Sequence, residues 1–233
     1  MNLYKKNLDF FKNNSHPLYK ILTTEESRYA SKVTLTASMN MKTEYCHTAC
    51  FVHSLYDIGR EIDQMFSAVS EDVEKLIVFG MGLWIAQDHI YDTYKNVKSI
   101  IVIEPDLNVF RAALQRIDFS SIVNRFGSVT VIFNRPKEEI SLLLWGLFEH
   151  EPTLKTAFVY NLSYRNLYTD DYEYISREFS KKLKDHVTNL TTLDTFLYQW
   201  AENAIKNLPY SATPLTQFRN TFGKLPAIIV AAG

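Results

Sequence analysis

The chain has 233 residues, 46% of them hydrophobic and 22% charged, which is the composition of a globular protein long enough for one large domain. A net charge of −1 gives no electrostatic case for nucleic acid or an anionic membrane as partner. Two cysteines, no N-terminal leader and no apolar run of membrane-spanning length predict a soluble cytoplasmic protein without a disulfide framework.

The first 16 residues are predicted to form an amphipathic helix through Leu3, Leu8, Phe10 and Phe11, ended by His16-Pro17. Residues 18–53 are rich in Thr, Ser, Val and Tyr, and alternate at Val33, Leu35, Ala37 and Met39. That period of two predicts two or three antiparallel strands, the last near Thr48 to His53. Cys46, His47, Cys50 and His53 invite a zinc reading. A closed tetrahedral site needs four converging ligands, and a strand would put 46 and 50 on one side and 47 and 53 on the other. Buried reduced thiols are the expectation, with no metal. A helix follows from Ile58 to about Val69, and Asp57 stands where it would cap that helix.

Lys75 to Asp106 organises the middle of the chain. Leu76 to Phe79 is a short apolar run, broken at Gly80-Met81-Gly82. Leu83 to Tyr94 is compatible with a helix, and the β-branched run Ser99 to Ile103 ends in Glu104-Pro105-Asp106. This is a β-α-β unit with a glycine turn after its first strand and an acid at the tip of its second. Glycines let the backbone approach a ligand, the following helix would offer N–H groups to a phosphate, and the acid would meet a ribose hydroxyl. Gly80, Gly82 and Glu104 are therefore candidate cofactor-binding residues. Two features depart from nucleotide-binding patterns: Ile85 replaces the third glycine, and Val78-Phe79 stand where methyltransferases carry an acid. A tight turn without a ligand fits the same residues.

Val109 to Ile117 is the next predicted helix, Ser128 to Phe133 a third strand, Pro136 to about Glu149 a helix, and Thr156 to Tyr160 a fourth strand. The alternation predicts a parallel sheet with Gly80, Glu104, Asn134 and Asn161 at one edge. Asn161 joins the candidate cofactor-binding residues there, with Tyr164 close by. Beyond, Asp170 or Asp171 is placed to cap a helix with Tyr172, Ile175, Phe179 and Leu183 on one face. A second helix carries Leu190, Leu193, Leu197, Trp200 and Ile205. Pro209 and Pro214 mark a linker, and Pro226 to Gly233 reads as a buried strand ending on glycine. The fold class expected is α/β: a Rossmann-like, doubly wound, mostly parallel sheet with a small β-rich N-terminal subdomain and C-terminal helices. The divisions expected are 1–70, 71–165, 166–225 and 226–233, the last being the first strand of a following domain of a longer protein.

Several stretches resemble the Maf proteins, the motility-associated flagellin glycosyltransferases. Their central domain is related to a domain of unknown function, number 115, shared with a 6-hydroxymethylpterin diphosphokinase of the MptE type. The stretches are His53-Ser54-Leu55-Tyr56-Asp57 with Arg60-Glu61, Phe79 to Gly82, Ile103 to Leu107 with Phe110, then Trp200, Asn203 and Asn207, and Pro226 to Gly233. The resemblance implies the N-terminal domain of an enzyme of bacterial flagellum motility. That enzyme would transfer a nonulosonic acid, of pseudaminic or legionaminic type, from its CMP-activated form to Ser or Thr of flagellin. It implies flagellin as protein partner, a sugar nucleotide held by a domain beyond this chain, no cofactor here, and no catalytic residue assignable in this chain. The alternative is an S-adenosylmethionine-dependent methyltransferase using Gly80, Gly82 and Glu104.

Overall fold

The computed structural model describes residues 2–14, 17–37, 40–46, 48–150 and 155–208. The chain divides into two compact units, Met1–Lys182 and Leu183–Gly233. The first unit opens with α1 (Leu3–Asn13), α2 (Pro17–Thr24), and three strands, β1 (Lys32–Leu35), β2 (Met41–Tyr45) and β3 (Thr48–Phe51). These strands form an antiparallel sheet of order β1-β2-β3. Then come α3 (Ile58–Phe66), β4 (Lys75–Phe79), α4 (Gln87–Thr93), β5 (Ser99–Glu104), α5 (Leu107–Ala113), α6 (Phe119–Phe126), β6 (Ser128–Phe133), α7 (Lys137–His150), β7 (Thr156–Tyr160), α8 (Leu162–Leu167) and α9 (Thr169–Asn207).

Strands β4 to β7 make a parallel sheet of order β6-β5-β4-β7. Parallel strands covered on both faces read as continuous apolar runs, which is why Lys75-Leu-Ile-Val-Phe79 is buried throughout. Alternate residues divide between two layers. Leu76, Val78, Ile100 and Val102 join a core with Phe11, Leu18 and Leu22 of the first two helices and with Phe110, Leu114, Phe119 and Ile122. On the other face Phe79 meets the Tyr172 ring at 5.7 Å and Phe158 stacks on Phe179 at 5.3 Å. Edge strand β6 keeps alternating exposure over its first four residues, as a half-covered strand should. The mixed α/β architecture expected from the sequence is the one found, and the parallel register sets Gly80, Glu104, Asn134 and Asn161 just at the carboxyl ends of their four strands.

Side-chain bonds to backbone fix the N-terminal helices on this frame. Asn7 is fully buried. It donates to the carbonyls of Leu114 (2.9 Å) and Ile117 (2.8 Å) and accepts from Phe119 N (2.9 Å), closing the turn between α5 and α6. Arg111 donates to the carbonyls of Leu22 and Glu25, capping the end of α2. Asp57 caps α3 through Arg60 N at 2.8 Å, as its position predicts.

The structure corrects several expectations. Pro17 opens a second helix, where the sequence suggested only an end to the first; proline at a first helical position loses no hydrogen bond. Helix α6 was not anticipated between 117 and 128. The helix expected from Leu83 starts at Gln87, and Trp84 adopts φ 55°, outside helical conformation. The two C-terminal helices expected are one element, α9. Cys46 is exposed in the turn after β2, not buried, and Cys50 is intermediate. His16, His47, the Pro209–Pro214 linker and the Pro226–Gly233 strand lie outside the described residues. Among the described residues, no helix is long and apolar enough to cross a membrane. In the second unit, Leu193, Leu197 and Trp200 are half exposed on α9, and the Phe196 and Trp200 rings stack at 6.0 Å.

Candidate functional site

The carboxyl edge of a parallel sheet is where such folds hold ligands. Here the chain leaves β4 through Gly80 (φ 86°), Met81 and Gly82 (φ 52°), and the positive φ values explain both glycines. Neither glycine faces open space. A Cβ on Gly80 would lie 2.4 Å from Cγ of the Tyr164 ring, and one on Gly82 would lie 2.4 Å from Nε2 of His53. The close approach these glycines permit is to the protein's own side chains.

Three successive amides of the turn, Met81, Gly82 and Leu83, point inward. Met81 N donates to Glu104 Oε2 (3.2 Å), Gly82 N to the Tyr164 hydroxyl (3.1 Å) and Leu83 N to His53 Nε2 (2.8 Å). Successive N–H groups of this kind form an anion-binding concavity when left free. In this chain each has a side-chain acceptor. The helix that would add its dipole begins only at Gln87, so the turn and a helix N-terminus are not joined.

Glu104 is fully buried at the tip of β5. It accepts from Met81 N, from Asp106 N (3.2 Å) and from the Tyr164 hydroxyl (2.7 Å). Burial pushes its carboxyl up to about 8, against the opposing pull of the Tyr164 hydroxyl. Burial also raises the Tyr164 phenol well above its ordinary range. Asp106, next along, accepts from Tyr168 (2.8 Å), Ser27 (2.9 Å) and Asn108 N (2.8 Å).

His53 completes the closure from the antiparallel side. Its Nε2 accepts from Leu83 N and so carries no proton; its Nδ1 therefore donates to Glu61 Oε1 at 2.9 Å. Glu61 Oε2 accepts from Ser54 N at 2.6 Å. Asn40 clamps the His53 backbone, donating to its carbonyl at 2.8 Å and accepting from its N–H at 3.2 Å. Asn161 caps α8 through Ser163 N (2.8 Å) and donates to Val52 O (3.0 Å), tying the end of β7 to the chain after β3.

The structure thus brings Gly80, Gly82, Glu104 and Asn161 to one edge. Their polar groups bond to protein, and the space beside the turn, lined by His53, Gly80, Met81 and Trp84, is about 10 Å³. That is room for a single water. Sequence reading missed the parts played by His53, Glu61 and Tyr168. Leu83 and His53 are 30 residues apart and Gly82 and Tyr164 are 82 apart, so no local spacing announces these bonds. Among the described residues no group of three or more His, Cys, Asp or Glu is placed to hold a metal ion.

Against known proteins, residues 1–188 match the family described as the glycosyltransferase Maf N-terminal domain. Among solved structures, a Maf glycosyltransferase from Magnetospirillum magneticum AMB-1 superposes with a TM-score of 0.58 at 12% identity, over 80% of this chain and 35% of that one. At that identity the likeness is one of fold, and this chain spans about a third of that protein's length. No curated protein matches by sequence. A family match over so much of the chain, with a parallel sheet and a closed glycine turn inside it, places this protein: it belongs to the Maf glycosyltransferase N-terminal domain family.

Proposed function

We propose that this chain is a non-catalytic domain of a cytoplasmic flagellin glycosyltransferase. The whole enzyme would transfer a nonulosonic acid of pseudaminic or legionaminic type from its CMP-activated form to Ser or Thr of flagellin. Family membership supports glycosyl transfer as the setting. The donor and acceptor rest on the sequence resemblance. The observation that carries the non-catalytic reading is the engagement of the Met81, Gly82 and Leu83 amides by Glu104, Tyr164 and His53. A transferase must hold its leaving phosphate and stabilise developing charge with preorganised donors, and this turn has none to spare. The same bonds count against the methyltransferase alternative, since Glu104 would have to leave three donors to reach a ribose. The sugar nucleotide would be held outside this domain. Flagellin contacts would come from surfaces such as the half-exposed Leu193, Leu197 and Trp200 of α9.

The test is mass spectrometry of flagellin incubated with a CMP-activated nonulosonic acid and either this chain or a longer protein containing it. The expected result is modification by the longer protein alone. Modified flagellin from this chain alone would put the chemistry inside it and overturn the proposal.

A further inference from the structure

Strand β6 is one edge of the parallel sheet, whose order is β6-β5-β4-β7. Asn134 N donates to Glu104 O, so the even-numbered residues of β6 turn their backbone toward β5. Val129, Val131 and Phe133 turn theirs outward. Among the described residues, nothing bonds to the outward N–H and C=O groups of these three. Folded proteins blunt such an edge with charges, proline, a bulge or a shortened strand. Here Ser128 to Phe133 has no charge and no proline, pairs one-to-one with β5, and runs for six residues.

A groove of about 440 Å³, within the size range of ligand clefts, runs beside this strand. Four consecutive residues, Thr130 to Phe133, line it. Neighbouring strand residues point to opposite faces of a sheet, so a groove touching all four follows the edge and not a face. On one side stand Pro17 and Ile21 of α2, the helix whose Leu18 and Leu22 share a core with Val129, Val131 and Phe133. On the other side stand Leu142, Leu143 and Gly146 of α7, which the reversed crossover from β6 to β7 carries to the opposite face. Leu142 and Leu143 are 64% and 50% exposed although apolar. Arg135, just past the carboxyl end of β6, is the one charged residue of the lining, and its contact with Glu25 at 3.9 Å is longer than a hydrogen bond.

These features select the occupant. Outward N–H and C=O groups at strand spacing are matched by another extended backbone, as when a peptide adds a strand to a sheet edge. Apolar walls on both faces take its alternate side chains. The guanidinium at one end calls for a carboxylate there. Two raised walls admit a single extended chain and hold off the sheet edge of a second copy, whose own walls would meet them. We propose that the β6 edge is a peptide-binding site, taking an extended segment of β-branched residues with an acidic residue at the end beside Arg135. Such a site is independent of the sugar donor and of which protein accepts the sugar.

The test is amide hydrogen exchange, read by nitrogen-15 NMR on the full 233-residue chain. The probe is the peptide acetyl-Glu-Val-Thr-Val-Thr-Val-Glu-amide, with an acid at each end so that either binding direction is open. In the free chain the Val129 and Val131 amides should exchange faster than those of Thr130 and Ile132, which bond to β5. Saturating peptide should slow Val129 and Val131 roughly tenfold or more. A peptide with proline at its third and fourth positions loses a donor whichever edge it presents, and should give no protection. Leu142→Glu and Arg135→Gln alter side chains at the surface, should leave the melting temperature unchanged, and should each weaken binding roughly tenfold. The proposal is overturned if the peptide leaves the two amides unchanged, or if the proline peptide protects them equally. It is overturned also if binding survives both substitutions. Protection of Val129 and Val131 without peptide overturns it too: protection that grows with chain concentration would assign the edge to a second copy, and protection at every concentration would assign it to the chain's own remaining residues.

Discussion

Gly80→Ala isolates the closure of the glycine turn. The added Cβ would sit 2.4, 2.6 and 2.7 Å from three atoms of the Tyr164 ring. That ring is fully buried and held at its hydroxyl by Glu104 and Gly82, so it has no free direction in which to retreat. Two costs add. A non-glycine residue in left-handed conformation costs about 1–2 kcal/mol, and forcing an extra methyl into a packed core costs about 1–3 kcal/mol. The sum, roughly 2–5 kcal/mol, corresponds to a fall in melting temperature of roughly 4–20 °C for a domain of this size. Gly127→Ala supplies the control. Gly127 also has positive φ (73°), but a Cβ there meets nothing within 4 Å, so only the conformational cost applies. Thermal unfolding followed by circular dichroism on both variants separates the two contributions. If Gly80→Ala unfolds no earlier than Gly127→Ala, Tyr164 does not seal the turn and the reasoning fails.

Two further predictions concern single carboxylates. Burial raises the Glu104 carboxyl from 4.5 to about 8, so the folded state holds its proton more tightly than the unfolded chain. The stability this contributes is complete below the ordinary carboxylate range and is lost as pH rises through about 8, by at most about 1.4 kcal/mol per pH unit. Melting temperature should therefore fall between about pH 5 and about pH 9, and Glu104→Gln should flatten that slope; an identical slope in the variant would refute the assignment. Asp57→Ala removes the cap on Arg60 N and should cost about 1 kcal/mol, read as a drop of roughly 2–4 °C. An unchanged melting temperature would mean the cap contributes nothing.

The sheet was legible because its strands are short β-branched runs at regular intervals, and because fully buried parallel strands leave continuous apolar sequence. The N-terminal strands and the Asp57 cap were legible from period and capping chemistry. Helix α2 was hidden by threonines and a tyrosine that suit strands equally well. Leu83-Trp84-Ile85-Ala86 misled in the opposite sense. The four are apolar because the loop is largely buried, and burial imposes the same composition on a loop as on a helix. At the site, glycines and an acid at strand tips were visible as residue types. What fills the turn was not. Tyr164 and His53 reach it from distant segments, and nothing in local spacing separates a turn that cradles a phosphate from one that cradles a tyrosine.

The central claim is that the amides of Met81, Gly82 and Leu83 serve the fold and leave nothing for a nucleotide. Nitrogen-15 NMR addresses it directly, by following those three backbone signals while CMP or S-adenosylmethionine is added to the chain. The signals are predicted to stay in place at every ligand concentration. A saturable shift centred on the three of them would show that the turn opens to a nucleotide, and would contradict the account.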